Sequence, residues 1–336
     1  MAEAAITNDD PQHDLGVDRH LQVNASDLGA PRFFQSMSDQ VWAVQSAAVL
    51  QELAHIAQRH GSVEAVERLR AQQADDAQTV RIRNGVAIVP LIGPIFPRAN
   101  LFTMVSGATS VDVMARDLQK MADRSDIRAI LLEIDSPGGA VTDIDEMAGV
   151  ISDIARQKPV TAYVGGTAAS AAYWLATAAG EVVVTRTGQV GSIGVVATVA
   201  KQTQPDESGI LDFEIVSSNA PEKRPDPETE TGRQAVVERI DPIERLFIDT
   251  VAANRGVTAA RVREDFGRGG VVVGSTAVDR AMADRVATFE ETLTGLEQPN
   301  SPDTSAAAAA ANPSKPKEAE MTDKTEVPAE APTSAD

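Results

Sequence analysis

One serine of this sequence lies where a hydroxyl could be presented for chemistry. Ser170 belongs to Gly165 to Trp174, a run of glycine, alanine and threonine that follows the apolar segment Val160 to Val164 and leads into a helix. Small residues around a hydroxyl allow another backbone to approach it closely. The stretch alone is compatible with two roles for this serine, a nucleophile or a residue that caps or packs the helix.

A nucleophilic serine needs a base, and the composition restricts which residue can serve. All four histidines precede residue 61 and the chain contains no cysteine, so the segment Val86 to Glu297 has neither imidazole nor thiol. Ser-His-Asp and Cys-His sites are thereby excluded from this segment, together with metal sites built on those ligands. A lysine amine is the remaining candidate base.

The segment contains four lysines, of which two suit ordinary structural roles. Lys120 falls on the polar face of a predicted helix, and Lys158 ends another helix, where a cation is favourable. Lys223 lies in the polar loop Ser217 to Glu230 after an apolar run, and Lys201 is the alternative base. Any such lysine must lose about 3 units from its usual pKa of about 10.4, which requires desolvation.

Short apolar runs alternate with amphipathic helices from Val86 onward, a pattern typical of βαβ units. The predicted strands are Val86–Ile92, Ile130–Ile134, Pro159–Val164, Glu181–Thr185, a bent Gly188–Ala200, Leu211–Val216 and a short extended Arg268–Gly274. The predicted helices are Ser110–Asp123, one around Ile144–Ile154, one within Gly165–Gly180, Thr231–Asn254 and Ser275–Val286. The buried face of the Thr231–Asn254 helix is predicted to comprise Val236, Ile240, Ile243, Phe247 and Val251.

Two of these units contain a Gly-Gly pair just beyond a predicted strand. Gly138-Gly139 ends the turn that starts at Asp135, and Gly165-Gly166 follows Val164. Since parallel strands with right-handed crossovers bring such turns to one sheet edge, we expect the two pairs to be neighbours.

Composition predicts four regions along the 336 residues. These are a mobile arm over 1–35, a helical lead-in over 36–80, an α/β domain over 81–297 and a disordered tail over 298–336, which is rich in Ala, Pro, Ser, Thr, Glu and Lys. The formal charge of −19 argues against nucleic acid or an anionic membrane as the main partner. No apolar run approaches the roughly 20 residues of a membrane helix, and we expect a cytoplasmic protein.

Three ordered motifs resemble the signal peptide peptidase A family of serine peptidases. They are Ile130 to Asp145 with its Asp-Ser-Pro-Gly-Gly turn, Gly165 to Trp174, and Gly188 to Val195. With the lead-in Val41-Trp42 and the chain length, the sequence is most similar to the head-maturation (prohead) proteases of lambda-like tailed phages and prophages, over roughly residues 35 to 290. The resemblance implies a crotonase-like (Clp-protease-like) α/β fold, endopeptidase activity without a cofactor, and assembly into cyclic homo-oligomers. It also implies capsid or scaffold proteins as substrates.

The family's functional residues can be carried over by position. The resemblance makes Ser170 the nucleophile, and Gly138 or Gly139 and the N–H of Ala171 or Ser170 the oxyanion donors. It makes Lys223 the base, although the loop before it is longer than the family's and lacks its glycine. Lys201 remains the alternative.

Other roles remain open at this point. Ser136 and Ser192 are further hydroxyls, predicted to be a turn residue and a strand-bend residue. The same fold could serve a non-proteolytic capsid assembly protein. A crotonase-superfamily acyl-CoA enzyme, which also builds its oxyanion hole from glycine-rich turns, is another alternative.

Overall fold

A computed structural model describes residues 41–44, 79–99, 108–199, 201, 203–205, 209–211 and 213–298, with the backbone alone for 41–44. The predicted N-terminal arm, most of the predicted helical lead-in and the predicted tail beyond Gln298 lie outside these residues. Within the lead-in, Val41–Val44 is a β-strand, so the helix prediction is wrong there. This strand pairs on both sides, which a helix could not do.

The described residues form an α/β structure, as predicted. The strands are β1 Val41–Val44, β2 Arg81–Arg83, β3 Val86–Ile92, β4 Ile95–Phe96, β5 Thr109–Ser110, β6 Ala129–Ser136, β7 Gly138–Ala140, β8 Val160–Ala169, β9 Glu181–Val184, β10 Gln189–Gly191, β11 Val196–Ala197, β12 Val271–Val273 and β13 Arg285–Val286. The helices are α1 Val111–Asp123, α2 Ile144–Ala155, α3 Ala171–Thr177, α4 Glu230–Arg255, α5 Ala259–Asp265, α6 Gly274–Asp279 and α7 Phe289–Glu297.

The larger sheet has the order β12-β10-β8-β6-β3-β2, with β9 beside β8 and β13 beside β9. The four adjacent strands β3, β6, β8 and β10 run parallel to one another. Ser136 near the end of β6 is opposite Ala168 near the end of β8. The segments that contain the two Gly-Gly pairs therefore lie side by side, which confirms that expectation.

Both faces of this sheet are covered, which explains the nearly continuous apolar runs of its strands. Ala87 and Val89 of β3 belong to the main core, which helices α1 to α4 help to enclose. The alternate residues Val86 and Ile88 belong to a second cluster, into which α7 inserts Leu293. Helix α7, which the sequence pattern did not predict, thus completes the domain.

The smaller sheet has the order β11-β1-β7-β4-β5. Strand β7 pairs with β4 so closely that a Cβ on Gly139 would lie 1.9 Å from the carbonyl oxygen of Ile95. A glycine is therefore required at this position to let the two backbones meet.

Two predicted elements are wrong in kind. Residues 211 and 213–216 form no strand with any described residue, and Phe213 and Ile215 are 79% and 94% exposed. The predicted helix Ser275–Val286 is instead the short α6 followed by a turn and β13. Ala281 has a left-handed φ of 65°, which ends the helix, and β13 then pairs with β9.

Three further elements differ in extent. Strand β8 continues beyond Val164 to Ala169 because residues 167–169 pair with β10. The bent Gly188–Ala200 strand is two short strands, β10 and β11, that belong to different sheets. Helix α4 matches its prediction closely, but Phe247 and Val251 are buried while the remaining predicted inward residues, Val236, Ile240 and Ile243, are half-buried.

Strands β2, β4 and β5 and helix α5 were not predicted, since each is too short to show a period. Strand β7 was not predicted either, because Gly138-Gly139 was assigned to a turn. Among the described residues, no helix combines the length and the hydropathy that crossing a bilayer requires.

Leu293→Ala should lower the free energy of unfolding by about 2–4 kcal/mol, because Leu293 is fully buried between α7 and the sheet. Val113→Ala on α1, where the valine is 37% exposed, is the matched control and should change the free energy of unfolding by less than about 0.5 kcal/mol. Denaturant unfolding measures both variants. Equal effects would contradict the packing of α7 against the second face.

Candidate active site

Ser170 has a backbone conformation that side chains rarely adopt. It connects β8 to α3 with φ 56° and ψ −121°, and the residue is 1% exposed. It occupies the N-cap position of α3, yet its side chain makes no capping hydrogen bond. A serine on a sharp, strained turn between strand and helix is the arrangement that serine hydrolases use to present a nucleophile.

The surroundings of Ser170 hold it rigidly. Its N–H donates to the carbonyl of Gly191 on β10 at 2.7 Å, and its hydroxyl donates to the carbonyl of Gly194 at 3.4 Å. Every residue of α3 is buried, and the Trp174 ring stacks on Phe247 of α4 with centroids 4.4 Å apart. This packing keeps the serine in place although its backbone is strained.

Beside Ser170 in the sheet, the turn between β6 and β7 is built by side chains of β6. Ser136 is fully buried as the last residue of β6, not a turn residue as predicted, and its hydroxyl accepts the N–H of Gly138 at 3.2 Å. The Asp135 carboxylate accepts the N–H of Thr167 on β8 at 2.9 Å. The second of these bonds connects the segment before Gly138-Gly139 with the segment after Gly165-Gly166.

Of the four backbone N–H groups predicted as oxyanion donors, that of Ser170 is already bonded to the carbonyl of Gly191. Gly138 has a φ of 95°, and its N–H donates a long hydrogen bond to the hydroxyl of Ser136. Gly139 lies on β7 against Ile95. Ala171 is the first residue of α3, whose N–H has no acceptor within the helix. A charged oxygen would compete well for such donors, because charge-assisted hydrogen bonds are roughly twice as strong as neutral ones.

The two candidate lysines differ in their surroundings, and neither makes a hydrogen bond to Ser170. Lys223 ends a 3₁₀ turn, Pro221–Lys223, and is exposed, with no hydrogen bond or ion pair from its amine to any residue that the structure describes. Lys201 donates to the carboxylates of Glu228 at 2.6 Å and Asp226 at 2.9 Å. These bonds raise the pKa of Lys201, the opposite of what a base requires.

A pocket of about 350 Å³ is lined in part by Gly194, whose carbonyl accepts the hydrogen bond from the Ser170 hydroxyl. Ser192, with a φ of 53°, also lines it. The pocket has a buried apolar wall and a charged rim, formed by Ile248, Val262 and Phe266 and by Glu244, Arg263 and Arg268. It could receive a side chain from a molecule bound in front of Ser170.

Sequence reasoning did not assign a role to the Gly194 carbonyl or to this pocket. The signal was the glycine pattern of Gly191-Ser192-Ile193-Gly194, in which two glycines and a serine have positive φ angles. Such angles depend on pairing with β8 and with Gly270, whose carbonyl accepts the N–H of Ser192. Spacing along the chain does not reveal these partners.

Comparison with protein families supports the resemblance drawn from the three motifs. The model of Peptidase family S49 matches residues 152–301, and the model of Clp protease matches residues 100–187. Both matches include Ser170, the first includes Lys201 and Lys223, and the second includes Gly138 and Gly139. The resemblance and the Clp-protease-like α/β fold are confirmed.

Known proteins similar to this chain include phage and bacterial proteins. The Head-tail preconnector protein GP5 of Enterobacteria phage P21 is 30% identical over 214 residues, which cover 62% of this chain and 42% of that protein. The Capsid assembly protease C of Escherichia phage lambda is 26% identical over 238 residues, 69% of this chain and 54% of that protein. A putative signal peptide peptidase SppA of Enterococcus faecium is 24% identical over 188 residues, 54% of each. The chain spans about half the length of these relatives.

Ser170→Gly should be more stable than Ser170→Ala by about 1 kcal/mol, because both remove the hydroxyl but only glycine adopts φ 56° and ψ −121° without strain. Thermal unfolding compares the two variants. The control pair is Ser152→Gly and Ser152→Ala within α2, where the order should be reversed because alanine is the better helix former. An alanine variant at 170 that is as stable as the glycine variant would contradict the strained turn.

Proposed function

We propose that this chain, which is similar to peptidase family S49 over residues 152–301, is a serine endopeptidase with Ser170 as the nucleophile. The observation that carries this proposal is the conformation of Ser170, a buried non-glycine residue held at positive φ whose side chain does not cap its helix. Holding this conformation costs on the order of 1–3 kcal/mol, which supports a functional role for a serine at the junction of strand and helix.

The proposed reaction follows from the groups around this serine. The Ser170 oxygen attacks the carbonyl carbon of a peptide bond while its proton passes to a lysine amine. The carbonyl oxygen becomes an oxyanion that accepts hydrogen bonds from Gly138 or Gly139 and from Ala171. The C–N bond then breaks as the ammonium returns the proton to the leaving amine, and water releases the acyl group. The chemistry calls for no cofactor.

Lys223 is the proposed base. Lys201 is less suitable because two carboxylates hold its amine in the charged form. Lys223 has no such partner among the described residues, but it is exposed within a single chain. Its amine must therefore be buried near Ser170 when the active form assembles, since desolvation is what favours the neutral amine.

A cyclic homo-oligomer is the proposed active form. The segment before Lys223 leaves Phe213 and Ile215 almost fully exposed, and Leu246 on α4 is 45% exposed. Exposed apolar side chains in the segment that leads to the proposed base are compatible with a surface that another protein covers. Contact with a second copy at this surface would order the segment and enclose the amine.

The proposed substrates are capsid or scaffold proteins during phage head maturation. Support comes from the similarity to a protein named for capsid assembly proteolysis and to a head-tail preconnector protein. The charge of −19 makes nucleic acid an unfavourable partner. The place of action would be the host cytoplasm or the assembling head.

A fluorophosphonate probe should label the wild-type chain on Ser170 and should not label Ser170→Ala, as mass spectrometry of the labelled peptide can show. Lys223→Met should slow labelling at least about 100-fold, because methionine keeps the apolar bulk but accepts no proton. Lys223→Arg should be as slow, since arginine stays protonated.

Lys201→Met is the matched control and should label within about threefold of the wild-type rate. If Lys201→Met slowed labelling and Lys223→Met did not, Lys201 would be the base. Absence of labelling under every condition would refute the peptidase and favour the non-proteolytic assembly protein or the acyl-CoA enzyme.

Specific activity should fall when the protein is diluted until light scattering detects monomers, because the proposed base is enclosed only on assembly. Activity on a protein substrate and the molar mass are measured in the same dilution series. Specific activity that stays constant into the monomer range would contradict an oligomeric active form.

A further inference from the structure

Strand β1 is the second strand of the smaller sheet and lies between the edge strand β11 and β7. It runs antiparallel to both, with Ala43 opposite Gly139 and Val44 opposite Gly138 on one side. On the other side, Val41 is opposite Ala197. Within the described residues β11 has no other strand partner, so without β1 a slot one strand wide would separate β11 from β7.

Both walls of this slot belong to the candidate active site. Strand β7 contains Gly138 and Gly139, the predicted oxyanion donors. Strand β11 follows Gly194, whose carbonyl accepts the Ser170 hydroxyl at 3.4 Å. An extended peptide in the slot would form main-chain hydrogen bonds on both sides, which is how proteins bind peptides by adding a strand to a sheet.

Strand β1 runs in the direction expected for the acyl side of a bound peptide substrate. The part of a substrate that becomes the acyl group precedes the scissile carbonyl, so its carboxyl end must point toward the oxyanion donors. Strand β1 runs from Val41 beside Ala197 to Val44 beside Gly138, with its carboxyl end at the donor turn. It thus occupies the slot in the orientation of the acyl side of a substrate.

We propose that residues Val41–Val44 occupy the substrate-binding slot of their own chain and inhibit it, and that an extended peptide segment of the substrate binds by replacing them. The catalytic consequence rests on the proposed function, whereas occupancy of the slot does not. Because the segment is covalently attached, a competing peptide faces an effective concentration on the order of mM. Activation consequently requires that β1 be withdrawn.

Peptide binding tests the occupancy without catalysis. The probe is a fluorescein-labelled peptide with the sequence of residues 38–48, and the protein is the full chain with Ser170→Ala. Adding Ala43→Pro removes an N–H from a strand that is paired on both sides, so the slot should open and fluorescence anisotropy should show at least about tenfold tighter peptide binding. Ala43→Thr, which keeps the N–H and suits a strand, is the control and should bind as weakly as Ser170→Ala alone.

A second variant does not depend on the proline variant folding. Val41→Cys with Ala197→Cys introduces two cysteines at facing positions into a chain that has none. In the full chain with Ser170 intact, oxidation should lock β1 in the slot and slow fluorophosphonate labelling at least about tenfold, and reductant should restore it. In the Ser170→Ala background, oxidation should weaken binding of the labelled peptide further.

The outcomes separate the two proposals. Equal peptide affinity for the proline and threonine variants, together with labelling and peptide binding that do not change on oxidation, would overturn the occupancy of the slot by β1. If no chain is labelled while the proline and the disulfide alter peptide binding as expected, the occupancy stands and the serine peptidase is refuted.

Discussion

The parallel pairing of β6 with β8 is the contact on which the candidate site depends. It places Ser136 opposite Ala168, and so brings the β6–β7 turn to the edge where β8 ends in Ser170. The Asp135 carboxylate then binds the N–H of Thr167 and locks the two strand ends together. A shift of one residue in this register would turn every side chain of β8 to the other face of the sheet. The positions of the proposed nucleophile and of the proposed oxyanion donors on β7 therefore depend on one strand pair.

Strain at Ser170 is tolerated because the elements around it are tightly packed. Helix α3 is buried along its whole length, and the stacking of Trp174 on Phe247 holds it against α4. The second face of the sheet is closed by α7, which keeps the strands rigid from the other side. A conformation that costs on the order of 1–3 kcal/mol is thus maintained by packing that a flexible loop could not supply.

Two segments of the single chain differ from the arrangement that the proposed peptidase requires. Strand β1 fills the slot between β7 and β11, while the segment around Lys223 remains exposed beside Phe213 and Ile215. Withdrawal of one segment and enclosure of the other are the two changes that the proposed peptidase requires. Enclosure of the lysine would confine proteolysis to the assembled state, which suits an enzyme whose proposed substrates surround it.

The sequence by itself determined the α/β class and the side-by-side position of the two Gly-Gly segments, because periodicity reports element type. It left serine with lysine as the proposed catalytic pair, because the segment Val86 to Glu297 contains neither imidazole nor thiol. Only the tertiary structure decided the backbone of Ser170, the role of the Gly194 carbonyl and the two-sided pairing of Val41–Val44. The prediction of a strand over Leu211–Val216 was wrong for the same reason. Alternation of apolar and polar residues indicates a segment that suits a strand, but a strand forms only where it can pair with the edge of another strand. Which edges are free depends on contacts between residues far apart in the chain, and no local pattern records them.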